Sequence, residues 1–255
     1  MEQIRMVVTD LDGTWLRGDK TVSEYAEWVA ERLRARGILF VVATARPIRA
    51  VDRWLPQVRY DAGVFHNGAV VADQSGPIAH FGIARPRQLI AAMLAERPGC
   101  RVAAEADDWL HANFDAGEIW PGIEHTRTGD FAGIERSIAD KLILQADTPQ
   151  DMMNFARYLP DELYLQLSEN TIAMVMHRDA TKMRGIRLLA EREGIAIEQI
   201  VAFGDDLNDA EMLAGCGVGV AMANALPEVR RAADEVCPGN DQDGVARWLA
   251  DRLGL

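Results

Sequence analysis

Cysteine is scarce in this chain, with three among 255 residues, at positions 100, 216 and 237. Odd in number and widely spaced, they make neither a disulfide framework nor a zinc pattern, and suit a reducing compartment. Basic charge is short as well. Lys and Arg number 27 against 39 Asp and Glu, a formal net charge of -12, which argues against a nucleic-acid partner. An anionic small molecule remains open, because a metal and a few local cations can outweigh the global sign. No uninterrupted apolar run reaches bilayer-spanning length, no basic-then-apolar leader precedes the first strand, and no repeat or low-complexity tract is present. The expectation is a soluble cytoplasmic protein, monomeric or homodimeric, with no membrane partner.

What is present points to a large core. Hydrophobic residues make up 49% of the chain, and its length fits one large domain or a core with a second one inserted. Ile4 to Val8 reads as a buried parallel strand. It runs into Asp10-Leu11-Asp12-Gly13-Thr14, two carboxylates one residue apart followed by a glycine turn. Two acids this close repel one another and resist burial; a divalent cation removes the conflict and frees one of them to act as a nucleophile. A solvated pair in an Asx-type turn is the plainer alternative. Ser23 caps a helix that stops at Gly37. Ile38 to Ala43 is a second buried strand ending at Thr44-Ala45-Arg46-Pro47, where Thr44 is placed to cap a helix running to about Leu55 and, equally, to help bind an anion. Arg46 reads as a solvated helix residue unless a site lies beside it. Ala62 to Phe65 is a short strand, and His66-Asn67-Gly68 after it reads as a turn.

The rhythm changes near Gly82. Strands now come in pairs as well as alternating with helices: Arg101 to Asn113 is strand-like, and Leu163 to Leu167 with Thr171 to Met176 look like paired strands around Ser168-Glu169-Asn170. That is the pattern of an α+β module. We assign 83–180 to this inserted domain, and 1–82 with 181–255 to the catalytic core. Beyond the insert, strand and helix alternate again. Thr181 to Glu193 is a helix stopped by Gly194, and Ile200 to Phe203 is a strand ending in Gly204-Asp205-Asp206-Leu207-Asn208-Asp209. The whole implies an α/β fold, a doubly wound parallel-sheet (Rossmann-like) core with an α+β insert. Strands ending at Asp10, Thr44 and Asp205 would present all three at one sheet edge. Asp205 and Asp209, four apart, could share a cation, while Asp206 reads as a helix cap. Oxygen ligands with no His or Cys nearby suit Mg²⁺.

Asp10-Leu11-Asp12-Gly13-Thr14, Thr44, Lys182 and Gly204-Asp205-Asp206-Leu207-Asn208-Asp209 together resemble the four ordered motifs of the haloacid dehalogenase-like hydrolase superfamily. The insert between the second and third is similar to that of the class IIB, or Cof-type, phosphatases, as are Ala43-Thr44-Ala45-Arg46 and His66-Asn67-Gly68-Ala69. The resemblance implies a Mg²⁺-dependent phosphatase of small phosphate monoesters, sugar phosphates above all. Asp10 would be the nucleophile that forms a phospho-aspartate, and Asp12 the acid/base whose backbone carbonyl also meets the metal. Thr44, Arg46, Lys182 and Asn208 would contact the phosphate. Asp205 would be a metal ligand and Asp209 a second ligand or its orienter. A related phosphomutase and a silent metal-phosphate sensor are the rival functions. The third motif departs from the family's usual Ser-Lys-Gly, reading Thr181-Lys182-Met183, with Arg184 the competing cation. The insert would act as a specificity cap, in which His111, Asn113, Trp120, His125 and Arg127 are the polar and aromatic residues of note.

Overall fold

A computed structural model of the chain describes residues 3–145, 148–168 and 172–255, so the expected Glu169-Asn170 turn lies outside the described residues. The chain forms two compact units, Met1–Ala79 with Thr181–Leu255, and His80–Ala180.

In the first unit the fully apolar runs become the middle of a sheet. Met6–Thr9 and Ile200–Gly204 are buried at every position, which requires cover on both faces and gives parallel strands their continuous hydrophobic sequence. Eight strands run in the order Glu235–Cys237, Val218–Met222, Ile200–Gly204, Met6–Thr9, Leu39–Ala43, Ala62–Phe65, Val70–Asp73 and Gly76–His80. The first six pair in parallel, and Val70–Asp73 turns back antiparallel on Ala62–Phe65. Helix Glu24–Ala35 lies against Gly244–Leu253, and Lys182–Glu193 lies against Ala210–Gly215. From Met6–Thr9 the chain moves outward through Leu39–Ala43 on one side and returns through Ile200–Gly204 on the other. That reversal is the switch point where open α/β sheets form their binding crevice, at the carboxyl ends of the strands. Register aligns Thr9 with Phe203 and with Val42, so the residues that follow all three strands emerge level.

Start and stop signals were mostly plain. Ser23 accepts a hydrogen bond from the Ala26 backbone N–H at 3.0 Å, and Gly37 and Gly194 take the left-handed conformation at helix ends. Two readings need correction. Thr44 does not cap the next helix, which spans Ile48–Trp54 with Pro47 at its cap position; the proline ring disfavours helical backbone at Arg46 before it, so the helix begins later. The edge strand Glu235–Cys237 was not anticipated, being three residues long and paired only with Val218–Met222.

The second unit is a seven-stranded sheet ordered Leu163–Ser168, Ile172–His177, Ile138–Gln145, Val102–Ala106, Trp109–Ala112 and Thr126–Arg127, with Ile83–Ala84 pairing Ile138–Gln145. Alternation along Val102–Ala106 sends Val102, Ala104 and Ala106 to a core with Ile90, Met93 and Phe155 from helices Pro86–Glu96 and Pro149–Ala156. Ala103 goes to the opposite face with Leu110, Phe114 and Ile143. The expected continuous strand 101–113 is a hairpin, because Asp107 and Asp108 both hold φ of 54° and form the two-residue turn that matches strand twist. Asn113 and His125 serve backbone here. Asn113 accepts from Val102 N–H and donates to the Cys100 carbonyl, both at 2.9 Å, and His125 Nε2 accepts from Ala116 N–H at 3.3 Å. No helix among the described residues is long and apolar enough to cross a membrane.

Candidate active site

Asp10 is the first residue past the central strand. Its N–H donates to the Phe203 carbonyl at 3.0 Å, and Thr44 N–H donates to that of Val64 at 2.8 Å, so the ladder holds both tips in place. The Asp10 side chain is nearly buried, and its Oδ1 accepts from Lys182 Nζ at 2.8 Å. Lys182 also donates to Asp209 Oδ1 at 2.6 Å. Lys182 is itself buried at the first turn of its helix, where the helix dipole disfavours a cation; the two carboxylates are what keep it there. Burial works against its charge, but Asp10 and Asp209 outweigh that and raise its pKa. Arg184, two residues on, is exposed. The departure at Met183 leaves the helix regular: Thr181 Oγ1 accepts from Arg184 N–H at 3.2 Å. The glycine that permits close packing sits at Gly185, where a Cβ would come within 2.6 Å of Val64.

Asp209 braces the loop that carries Asp205. Its Oδ2 accepts from the N–H groups of Asp205 and Asp206 at 2.9 and 3.1 Å, and Gly204 makes room, since a Cβ there would lie 2.4 Å from that of Asp209. With Oδ1 on Lys182 and Oδ2 on the backbone, Asp209 serves as an orienter more than as an open ligand. Asp206 is exposed and accepts from Leu207 N–H at 2.7 Å, the capping geometry expected of it. Asp205 Oδ1 accepts from Thr14 Oγ1 at 2.7 Å.

Asp10, Asp205 and Asp209 each offer a carboxylate oxygen within 4.8 Å of the others. Three carboxylates and one ammonium leave two negative charges over, which a hard divalent cation on oxygen ligands would balance. The strain is visible in their acidities. Burial, opposed by Lys182 and abetted by Asp209, pushes the Asp10 carboxyl up to about 8. Burial raises Asp205 to about 6, against the Thr14 hydrogen bond and with help from Asp209 and Asp206. Gly13 holds φ of +79°, and a Cβ there would lie 2.3 Å from Asp205 Oδ2. Gly13→Ala is therefore expected to displace Asp205 and weaken divalent-cation binding by roughly 10- to 100-fold, measured by calorimetric titration beside a thermal melt that confirms folding.

Asp12 stands apart from this cluster. Arg46 grips its carboxylate with Nε on Oδ2 at 2.6 Å and Nη2 on Oδ1 at 2.7 Å, and Lys20 Nζ reaches Oδ1 at 2.7 Å. Partial burial opposes the charge, but the hydrogen bonds of Arg46 and Lys20 outweigh it and hold the carboxyl below its ordinary range. Arg46 is thus a clamp on Asp12, ahead of the helix, not a solvated helix residue. Thr44 is buried, its Oγ1 accepting from Arg46 N–H at 3.2 Å and its carbonyl from Asn67 N–H at 2.9 Å. Asn208 Nδ2 donates to Asn67 Oδ1 at 3.0 Å. The His66-Asn67-Gly68 turn has positive φ at all three residues, and Gly68 fits only without a Cβ, 2.3 Å from the Thr181 carbonyl. Lys20, in the loop after Asp12, and Asn67 are the residues that sequence reasoning left out. The signal for Asn67 was an Asn-Gly pair at the end of Ala62–Phe65, a strand of this same edge.

The sequence profile of the haloacid dehalogenase-like hydrolases matches residues 7–249. A protein of Haemophilus influenzae is 30% identical over 259 residues, covering 98% of both chains. The 5-amino-6-(5-phospho-D-ribitylamino)uracil phosphatase YitU of Bacillus subtilis is 25% identical over 265 residues, again covering 98% of each. Among solved structures, the subclass IIB sugar phosphatase BT4131 shares the fold with a TM-score of 0.81 at 22% identity, over 98% of this chain and 99% of that one.

Proposed function

The chain belongs to the haloacid dehalogenase-like hydrolases, with the architecture of class IIB, and from that premise we propose that it is a Mg²⁺-dependent phosphatase of a small phosphate monoester, working through a phospho-aspartate on Asp10. The observation that carries this reading is the setting of Asp10: a carboxylate at the sheet's switch point, joined to a buried ammonium and beside two further acids.

Asp10 attacks phosphorus as its ester bond to the leaving oxygen breaks, and that oxygen takes a proton from Asp12, which carries one once Arg46 turns from its carboxylate to the phosphoryl oxygens. Water then attacks the phosphorus of the aspartyl phosphate, passes a proton to Asp12, and inorganic phosphate leaves with the Asp10 carboxylate restored. Lys182 offsets charge on Asp10 and on the transferring group, while Thr44 and Asn208 hydrogen-bond its oxygens. Asp10, Asp205 and the Asp12 backbone carbonyl would hold the metal, with Asp209 bracing them. When bound, Mg²⁺ supplies the charge neutralisation that lets a carboxylate meet a phosphate dianion. The substrates for which YitU and BT4131 are named, a ribitylamino phosphate and sugar phosphates, favour a polyol or sugar phosphate of the cytoplasm, with the 83–180 insert as the specificity cap. The test is hydrolysis of p-nitrophenyl phosphate with release of free phosphate. Turnover is expected with Mg²⁺ and none after chelation. Transfer to a sugar without phosphate release would instead favour the mutase, and inactivity on every ester the sensor.

A pH dependence follows from the raised acidity constants. A cation needs ionised carboxylates, so its binding displaces protons. Between the ordinary value of 3.8 and about 8 for Asp10, the folded chain holds a proton that the unfolded chain has lost, so metal-free stability falls as pH rises through that window. Metal affinity moves the other way. Mg²⁺ affinity is expected to rise from pH 6 to pH 8, approaching about tenfold per unit for one displaced proton, with proton release seen by calorimetry in buffers of different ionisation heat. Affinity independent of pH would contradict it.

A further inference from the structure

We propose that Lys20 is a positioning residue for the acid–base carboxyl of Asp12, an inference that rests on the phosphatase reading above. The Asp12 side chain is 38% exposed, so packing does not fix it, and the side-chain hydrogen bonds it accepts come from Arg46 and Lys20. Arg46 alone is a poor guarantee of orientation. Its guanidinium also attracts an incoming phosphate, and each bond given to the phosphoryl oxygens is one fewer on Asp12. The Lys20 ammonium then keeps the carboxyl aimed.

The loop is arranged to deliver that ammonium. Lys20 sits at φ of 67°, a left-handed backbone that a residue with a side chain seldom adopts. The turn around it closes with Arg17 N–H on the Thr21 carbonyl at 3.0 Å and Lys20 N–H on that of Arg17 at 2.9 Å. Two distant segments tie it down, one at 57 and one at 241–243. Arg17 grips Asp243 through Nε and Nη2 at 3.1 and 2.8 Å, Gly18 N–H donates to Asp241 at 2.8 Å, and Gln57 donates to the Lys20 carbonyl at 3.1 Å. An exposed ion pair by itself is worth little and is often incidental. A strained turn anchored from 57, 241 and 243, with its lysine on the one carboxylate meant to move protons, is a built arrangement.

Leaving-group chemistry separates positioning from mere loop stability. Nitrophenolate departs without a proton, whereas an alkoxide needs one from Asp12. Lys20→Met is expected to lower the ratio of kcat/KM for an alkyl phosphate to that for p-nitrophenyl phosphate by about tenfold, and Lys20→Arg to restore most of it. An unchanged or increased ratio would overturn the proposal, including an equal loss on both esters, which would make the loop merely structural. Should the wild-type protein hydrolyse neither ester, the phosphatase reading fails on its own account. Crystal structures of wild type and Lys20→Met then decide the placement: Asp12 rotated or disordered in the variant supports it, and Asp12 unmoved on Arg46 rejects it.

Discussion

Asp10→Asn is expected to abolish phosphate-ester turnover, by at least about 10³-fold, in a protein that folds as well as the parent or better. The two halves of this result have one cause. Asp10 sits almost wholly buried at the strand tip, and burial is the main influence pushing its carboxyl up to about 8. A charge in that place weakens the metal-free fold, and the proposed mechanism gives it the reason to be kept, nucleophilic attack on phosphorus. Asparagine keeps the shape and can still accept from Lys182, and it removes the desolvation penalty at pH above 7. Lys182 keeps Asp209 as a partner. Thermal melting at pH 8 in chelator is expected to place the variant at or above the wild type, while p-nitrophenyl phosphate is not hydrolysed. Substantial remaining turnover would remove Asp10 from the chemistry. A large loss of stability would show that its charge supports the fold.

Lys182→Met is expected to cost both stability and activity. The lysine is buried, and removing it leaves Asp10 and Asp209 facing one another without their shared ammonium. Breaking a buried ion pair by taking one partner typically costs about 3–5 kcal/mol, because the remaining charge is stranded in a poor solvent. The urea midpoint should fall accordingly. The pairing makes a stricter demand: in a double-mutant cycle, adding Asp10→Asn to Lys182→Met should recover part of the loss, since it deletes one of the stranded charges. Simple addition of two independent costs would contradict the coupling.

How much of this was legible in the sequence depends on the kind of signal. The central strands announced themselves as unbroken apolar runs, and each ended in chemistry-bearing residues, so the edge shared by Asp10, Thr44 and Asp205 could be read before any coordinates. The cap at Ser23 was equally plain, because a side-chain acceptor before a helix is a local feature. What escaped were relations set by tertiary contact. That Arg46 and Lys20 converge on Asp12 depends on a loop folded back over eight residues and on the end of the next strand, 34 residues on. Neither has a periodicity to betray it. Asn67 was read as a turn residue, and the turn is real; its second task, receiving Asn208 from 141 residues away, is invisible to local propensity. The Asp107-Asp108 turn was missed for another reason, since two aspartates announce a hairpin less clearly than Asn-Gly. Asp209 shows the converse: the sequence offered two roles for it, and the three hydrogen bonds its oxygens accept favour the orienter.

The most direct test lies in the bond that Asp10 is meant to form. Wild-type protein is mixed with substrate and Mg²⁺, quenched in acid during turnover, and digested for mass spectrometry with fragmentation. One phosphoryl group localised to Asp10, absent when the metal is chelated, is the result expected. Ester turnover that leaves no phosphoryl group on Asp10, or places it on another residue, would contradict the account.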